Sequence, residues 1–220
     1  MIEFEAVFAA IVVSLRVAFS TVFILLLVGV PIAYRLAMSK SRLKPLWESL
    51  VSLPIALPPT VVGFYWLLVF GRGSLVGEWL YEVLGGSLVF SFLGVVLGSS
   101  LYCLPFMVQP VKNGFEAVPQ ELLDNARLDG ASSVQVFLRI CLPMSLRSIT
   151  VGASLTVVHA LGEFGVVMMI GGNITSETRT ASIALYDAVQ ALQFREAHMV
   201  ALVLLFLAMV ASVPMFWSKR

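Results

Sequence analysis

Three ionisable side chains, Arg16, His159 and Glu163, stand within or beside apolar runs of this 220-residue sequence. Each needs a physical reason to be there. A central arginine costs about 2.5 to 3.5 kcal/mol on insertion scales, so Arg16 should face a cavity or a partner. It could attract an anion, pair with Glu163 or reach outward to the membrane surface. Glu163 sits in the run Gly162-Glu163-Phe164-Gly165, near the end of its apolar segment. Between two glycines it reads best as the partner of a basic group, fixing a bent gate region. His159 lies four residues earlier on the same helical face, but two histidines in the whole chain furnish no credible metal cluster. A hydrogen bond in the core is its expected role, and no metal is expected. Paired acids or a histidine cluster at helical spacing, which an intramembrane enzyme would need, are not seen. Nor is a Gly-rich phosphate loop ending in Gly-Lys-Ser/Thr. The expectation is a chain with no catalytic residue and no bound cofactor, so any energy for active work must come from a partner.

A second group of residues has the chemistry of a docking surface. From Glu121 to Pro143 the sequence turns polar, with Asp124, Arg127, Asp129 and Arg139 between apolar runs on either side. Pro119 suits a first helical turn and Glu121 the positive end of a helix dipole. Leu122, Leu123 and Ala126 form a short apolar stripe with Leu128 at its edge, and Gly130 is a natural terminator. Ser132 and Gln135 have capping-box spacing. In the helix they open, Val136, Phe137 and Ile140 can pack on the rest of the chain before Pro143 starts the next segment. Two short helices at an angle suit insertion into a cleft of another protein; a loop folded only onto its own chain is the alternative.

The elements that must carry these groups are set by solvent. The chain is 59% hydrophobic and 12% charged, with mean hydropathy +0.96, against roughly 25% charged in soluble domains. Lipid is its main solvent, and no basic block suggests nucleic acid. Spanning helices need about 20 mainly apolar residues, which places five near 8–38, 46–70, 88–111, 148–170 and 198–217. The fold class is therefore all-α, a polytopic membrane protein read as a single transmembrane domain over 1–220, its polar loop spanning about 112–147. Ten of the 14 basic residues fall in the first loop, the polar loop and the tail (Lys219 and Arg220). The alternate loops hold Arg72, Arg179 and Arg195. By the positive-inside rule the N-terminus lies outside, and the polar loop and C-terminus face the cytoplasm. No cleavable signal peptide is expected, and Cys103 and Cys141 are read as packing residues rather than a disulfide.

The second span opens with Leu57-Pro58-Pro59-Thr60 after Pro54. Proline removes a backbone donor and clashes with the preceding turn, so this stretch should be kinked or partly unwound. It either lines a pathway or is a structural kink. Gly94 and Gly98 offer a small-xxx-small pair for helix packing within the chain. Gly171 to Glu196 reads as a short re-entrant or interfacial helix, or else as a solvated loop.

The residues Glu121, Ala126, Asp129, Gly130, Ala131, Ile140, Leu142 and Pro143 resemble the cytoplasmic loop with which permease subunits of ATP-binding-cassette (ABC) importers grip their ATPase. Asn125-Ala126-Arg127 departs from the paired alanines often found there, but Ala126 keeps the small side chain. Two further stretches narrow the family. Leu57 to Tyr65, with Phe70-Gly71-Arg72 and Leu75-Val76-Gly77, is similar to molybdate permeases. Ala160 to Gly165, Gly171 to Ile174 and Thr178-Arg179-Thr180 are similar to molybdate and sulfate permeases alike. The resemblance implies a type I importer permease fold and a homodimer. It further implies two cytoplasmic ATPases that hold ATP and Mg, and an extracytoplasmic oxyanion-binding protein. Pathway and gate residues would include Pro58, Pro59, Thr60, Gly162, Glu163, Phe164, Gly165 and Arg16. Neutral donors such as Ser14, Ser20, Ser99, Ser100, Ser154 and Thr156 could pass an oxyanion without trapping it, although most should simply pack helices. The cargo implied is molybdate or tungstate, with sulfate or thiosulfate as the alternative; a proton-coupled secondary carrier would need no docking loop.

Overall fold

The computed structural model of the chain describes residues 2–217, with backbone only for 2–4. In chain order its helices are α1 (Ile2–Met38), α2 (Lys44–Ala56), α3 (Pro59–Phe70), α4 (Leu75–Leu84), α5 (Phe92–Glu116), α6 (Gln120–Leu128), α7 (Ser133–Val136), α8 (Leu142–Met144), α9 (Leu146–Gly162), α10 (Gly165–Gly171), α11 (Ala181–Gln190) and α12 (Phe194–Trp217). A π-helical turn over Phe137–Cys141 joins α7 to α8. No strand occurs among the described residues. Helices are what lipid demands, because a spanning segment must satisfy its own backbone groups.

Glu5–Met38, Phe92–Glu116 and Phe194–Trp217 are each long and apolar enough to cross a bilayer alone. Two bent pairs raise the total to as many as five: α2 with α3, bent by 106°, and the 133–144 segment with α9, bent by 72°. The expected single span over 46–70 is thus two helices. Leu57 is extended (φ −93°, ψ 144°), as a residue before proline tends to be, and Pro59 opens α3 where its missing N–H is harmless. The expected span over 148–170 is also corrected, being broken between α9 and α10. Lys219 and Arg220, on which part of the orientation reading rests, lie outside the described residues.

α1, α5 and α9 pack mutually, and α12 lies on α9 and α11. Two buried clusters result. One, at the polar-loop end, centres on Met107, Val111, Phe115, Leu123, Val136 and Cys141. The other, at the opposite end, gathers Val17, Val62, Trp66, Val95, Val166 and Ile170. A Cβ on Gly98 would run into Ile170, so that glycine serves the contact of α5 with α10; Gly94 instead lies over the Leu88 carbonyl and does not pack helices. The 171–196 stretch is no solvated loop: α11 buries Ala181, Ser182, Ile183 and Ala184 against α1, α9 and α12. Helix α4 was not anticipated, although Ser74 caps it through Gly77 N–H at 2.9 Å and its apolar spacing was legible.

Candidate functional site

The polar loop is a rigid two-helix foot. Helix α6 ends in a Schellman motif: Ala131 N–H reaches the Ala126 carbonyl at 2.9 Å and Gly130 N–H the Arg127 carbonyl at 3.0 Å. Gly130 takes the left-handed conformation this requires, φ +84°. Ser132 then opens α7 with a reciprocal capping box, its N–H donating to Gln135 Oε1 at 2.8 Å and its Oγ accepting from Gln135 N–H at 3.3 Å. These hydrogen bonds set the angle between α6 and α7.

The foot is bolted to the bundle from within. Leu123, Val136 and Cys141 are buried and join the cluster around Phe115, where Ala126, Ala131, Phe137, Ile140 and Leu142 pack half-buried. Tyr34 lies between Phe115 and Phe137, edge-on to the first and tilted to the second, with centroids at 5.5 and 4.7 Å. Cys141 carries a free thiol with no disulfide partner, which fits a packing residue. The outer face is different. Leu128 is 85% and Val134 65% exposed, so neither has a packing role within the chain, and of the apolar stripe Leu122 is exposed while Leu123 is buried. Glu121, Asp124, Arg127, Asp129 and Pro143 share that exposure. Apolar knobs ringed by charge are what a protein cleft recognises.

At the opposite end the chain brings its two helix breaks together. A Cβ on Gly165 would lie 2.8 Å from Pro59 Cβ, and one on Gly63 would lie 2.7 Å from Met169 Cβ. Those glycines let α3 and α10 touch. Pro58 and Thr60 are exposed beside this contact, and Phe164 packs on Tyr186 at 4.8 Å. Replacing Gly165 with leucine should cost about 1–3 kcal/mol by overpacking and lower the melting temperature of the purified protein. Gly73→Leu, where a Cβ meets nothing within 4 Å, should leave it unchanged.

Glu163 does not pair with a basic group among the described residues, contrary to expectation. It is buried, 5% exposed, and its Oε1 accepts from Val166 N–H at 2.8 Å. It therefore caps α10, the helix that follows the break. Its backbone carbonyl accepts from Ser182 Oγ at 2.7 Å, and Ser14 Oγ accepts from Ala181 N–H at 2.8 Å. The break is thereby tied to α11 and α1, a role for Ser182 that the sequence did not flag. Arg16 is exposed on α1, its guanidinium 4.8 Å from the Phe92 ring centroid. His159 places Nδ1 2.9 Å from the Leu155 carbonyl and stacks on Phe106. Ser100 and Thr156 donate to carbonyls of their own helices, Val96 and Gly152, so they offer a passing anion little.

A helical membrane bundle with two apposed helix breaks at one end and a rigid polar foot at the other has the build of a transport permease. The chain belongs to the family of binding-protein-dependent transport system inner membrane components, whose model matches residues 26–220. It is therefore a multi-pass membrane component of a transport system rather than an enzyme. It is 40% identical over 213 residues to the molybdenum transport system permease protein ModB of Azotobacter vinelandii, covering 96% of this chain and 94% of that one. To the ModB of Escherichia coli it is 34% identical over 221 residues, covering 100% and 96%. Among solved structures it resembles a bacterial alginate ABC transporter bound to its alginate-loaded periplasmic protein, with TM-score 0.74 and 18% identity over 96% of this chain and 76% of that one. It also resembles the inward-facing MetNI methionine ABC transporter, with TM-score 0.72 and 14% identity over 98% and 97%. The fold is that of a type I ABC importer permease.

Proposed function

We propose that this chain is the permease subunit of an ATP-driven importer that moves molybdate, or tungstate, across the cytoplasmic membrane by alternating access. The observation that carries the reading is the foot: a loop locked by its own caps, buried on one side and bare on the other, at the end of α5. Its bare side, with Glu121, Asp129, Gly130 and Leu128, fits the cleft of a cytoplasmic ATPase. ATP and Mg are held on that partner, and this chain binds no cofactor. Two copies form the pathway, and an extracytoplasmic oxyanion-binding protein delivers cargo at the end carrying α4 and α11. The N-terminus lies outside and the C-terminus in the cytoplasm. The exposure of Arg16 within α1 supports a homodimer, since a lipid-facing guanidinium is costly and a second copy or an aqueous pathway would relieve it. Pro58, Pro59, Thr60 and the Gly162-to-Gly165 break form the gate. The molybdenum permeases to which the chain is 34–40% identical favour molybdate over sulfate.

The test is ATP hydrolysis by the reconstituted complex. Molybdate-loaded binding protein should stimulate it more than the sulfate-loaded form. Equal or reversed stimulation rejects the molybdate assignment.

A further inference from the structure

Helix α2 is held to the bundle almost entirely by α5; it barely touches α1. Val51 and Pro54 of α2 pack as apolar side chains, but one stripe of the contact with α5 is polar. Lys44 Nζ lies 2.8 Å from Glu116 Oε1, and Lys112 Nζ lies 2.8 Å from Glu48 Oε1. The other two sides, Lys44 to Glu48 at 3.9 Å and Lys112 to Glu116 at 4.0 Å, close a square of alternating charge. One turn deeper, Gln109 Nε2 donates to Ser52 Oγ at 2.6 Å, and Ser52 Oγ donates to the Glu48 carbonyl at 2.7 Å. Positions 44, 48 and 52 form one stripe of α2, and 116, 112 and 109 the facing stripe of α5. The opposite face of α2 is bare and apolar, with Leu46, Trp47, Leu50 and Ile55 exposed.

The physical sense of a polar seam here lies in register rather than strength. In lipid, apolar side chains gain nothing by turning from acyl chains to a neighbouring helix, so a leucine seam would let α2 slide or detach. Alternating charges allow one alignment and penalise a shift by one turn, which would bring like charges together. Deeper still the seam ends, and α2 and α3 open into an apolar crevice of about 520 Å³ between Leu53, Leu57, Trp66 and Leu104. Pro54, Leu57 and Val62, on both sides of the 106° bend, line this crevice.

At the other end the seam adjoins the foot. Glu116 is the last residue of α5, and Ala117, Val118 and Pro119 alone separate it from α6. Phe115, beside the seam, is fully buried against Tyr34 and Phe137. The foot, the end of α5 and α2 are therefore joined in one continuous path of close contacts.

We propose that the square Lys44–Glu48–Lys112–Glu116 is a positioning device that makes α2 follow the foot, so that displacement at the foot is delivered to the Leu57-Pro58 break and on to α3. This rests on the permease reading above. The four side chains touch neither cargo nor ATPase; they act through α2.

The experiment uses the complete complex in liposomes, with ATPase and molybdate-loaded binding protein, and measures uptake per ATP hydrolysed. Glu48→Cys with Lys112→Cys removes half the square and should lower that ratio about tenfold, whereas bridging the two thiols with a short bis-maleimide should return it to within about threefold, because a covalent tie replaces the lost pair. Cys103 and Cys141 are buried and leave the reagent to the new pair. An unchanged ratio in the unbridged double variant overturns the proposal. So does a bridge that fails to restore it or that stops uptake, since the seam would then have to open during the cycle. As a second variant, the fourfold exchange Lys44→Glu, Glu48→Lys, Lys112→Glu, Glu116→Lys rebuilds the square with signs reversed. It should keep more coupling than Lys112→Glu alone, and the opposite order counts against the proposal. If the permease reading itself were wrong, the unmodified complex would show no uptake at all, which separates the two failures.

Discussion

Valine at position 130 should detach the ATPase while leaving the protein in the membrane. Gly130 has φ +84°, a region that costs an L-residue roughly 1–2 kcal/mol and a β-branched one more. No atom lies within 4 Å of the Cβ it lacks, so the penalty is one of backbone conformation, not of crowding. The foot escapes it by abandoning the left-handed turn, which forfeits the hydrogen bonds from Ala131 and Gly130 that set the angle between α6 and α7. A loss of 1.4 kcal/mol in docking is tenfold in affinity, so co-purification of the ATPase should fall by about that factor or more. Asparagine tolerates the left-handed region, and Gly130→Asn should retain most binding. Glu121→Lys acts separately, placing a cation at the positive end of α6 on the bare face, and should also weaken docking. Membrane abundance of all three variants should match the unmodified chain. Normal co-purification with Gly130→Val would remove the foot from the docking interface.

The foot is the part of this molecule most legible in sequence, and the reason is physical. Caps and turns are local: Ser132 with Gln135, and Gly130 after Ala126, declare their geometry within five residues. Leu122 shows the limit. It sits in the same apolar run as Leu123, yet only Leu123 faces inward, and a nine-residue helix gives too few turns for periodicity to separate them. Spanning helices are legible as lengths but not as orientations. α1 is apolar all round, so nothing in its pattern says that Arg16 lies on the open side rather than against Glu163.

The two helix breaks differ in the same way. Pro58 and Pro59 announce the first, because proline acts on its own backbone. The second carries no proline, and it exists because Glu163 caps α10 and Ser182, nineteen residues on, accepts its place by donating to the Glu163 carbonyl. Contacts at that separation are set by packing. The charged seam is likewise half visible: Lys44 with Glu48 and Lys112 with Glu116 are ordinary i,i+4 pairs, but nothing in the sequence says that the two pairs meet each other across 64 residues.

Glu163 offers the sharpest separation between a cap and a pathway charge. If its task is to accept from Val166 N–H and hold the break, what matters is an acceptor of the right length, not the charge. Glutamine keeps a carbonyl oxygen at the same reach, so Glu163→Gln should retain transport within about threefold, having lost only the charge assistance of one hydrogen bond. Alanine leaves the first N–H groups of α10 buried and unpaired, at roughly 1–3 kcal/mol. The break should then close into a straighter helix or loosen, and Gly165 would lose its seat against Pro59. Uptake by Glu163→Ala should fall tenfold or more, while ATPase co-purification, governed by the foot at the other end of the bundle, should be unaffected. Were Glu163 instead a charge that meets or repels the passing anion, glutamine and alanine would behave alike. Equal loss of uptake in the two variants would therefore reassign Glu163 from the scaffold of the gate to the pathway itself.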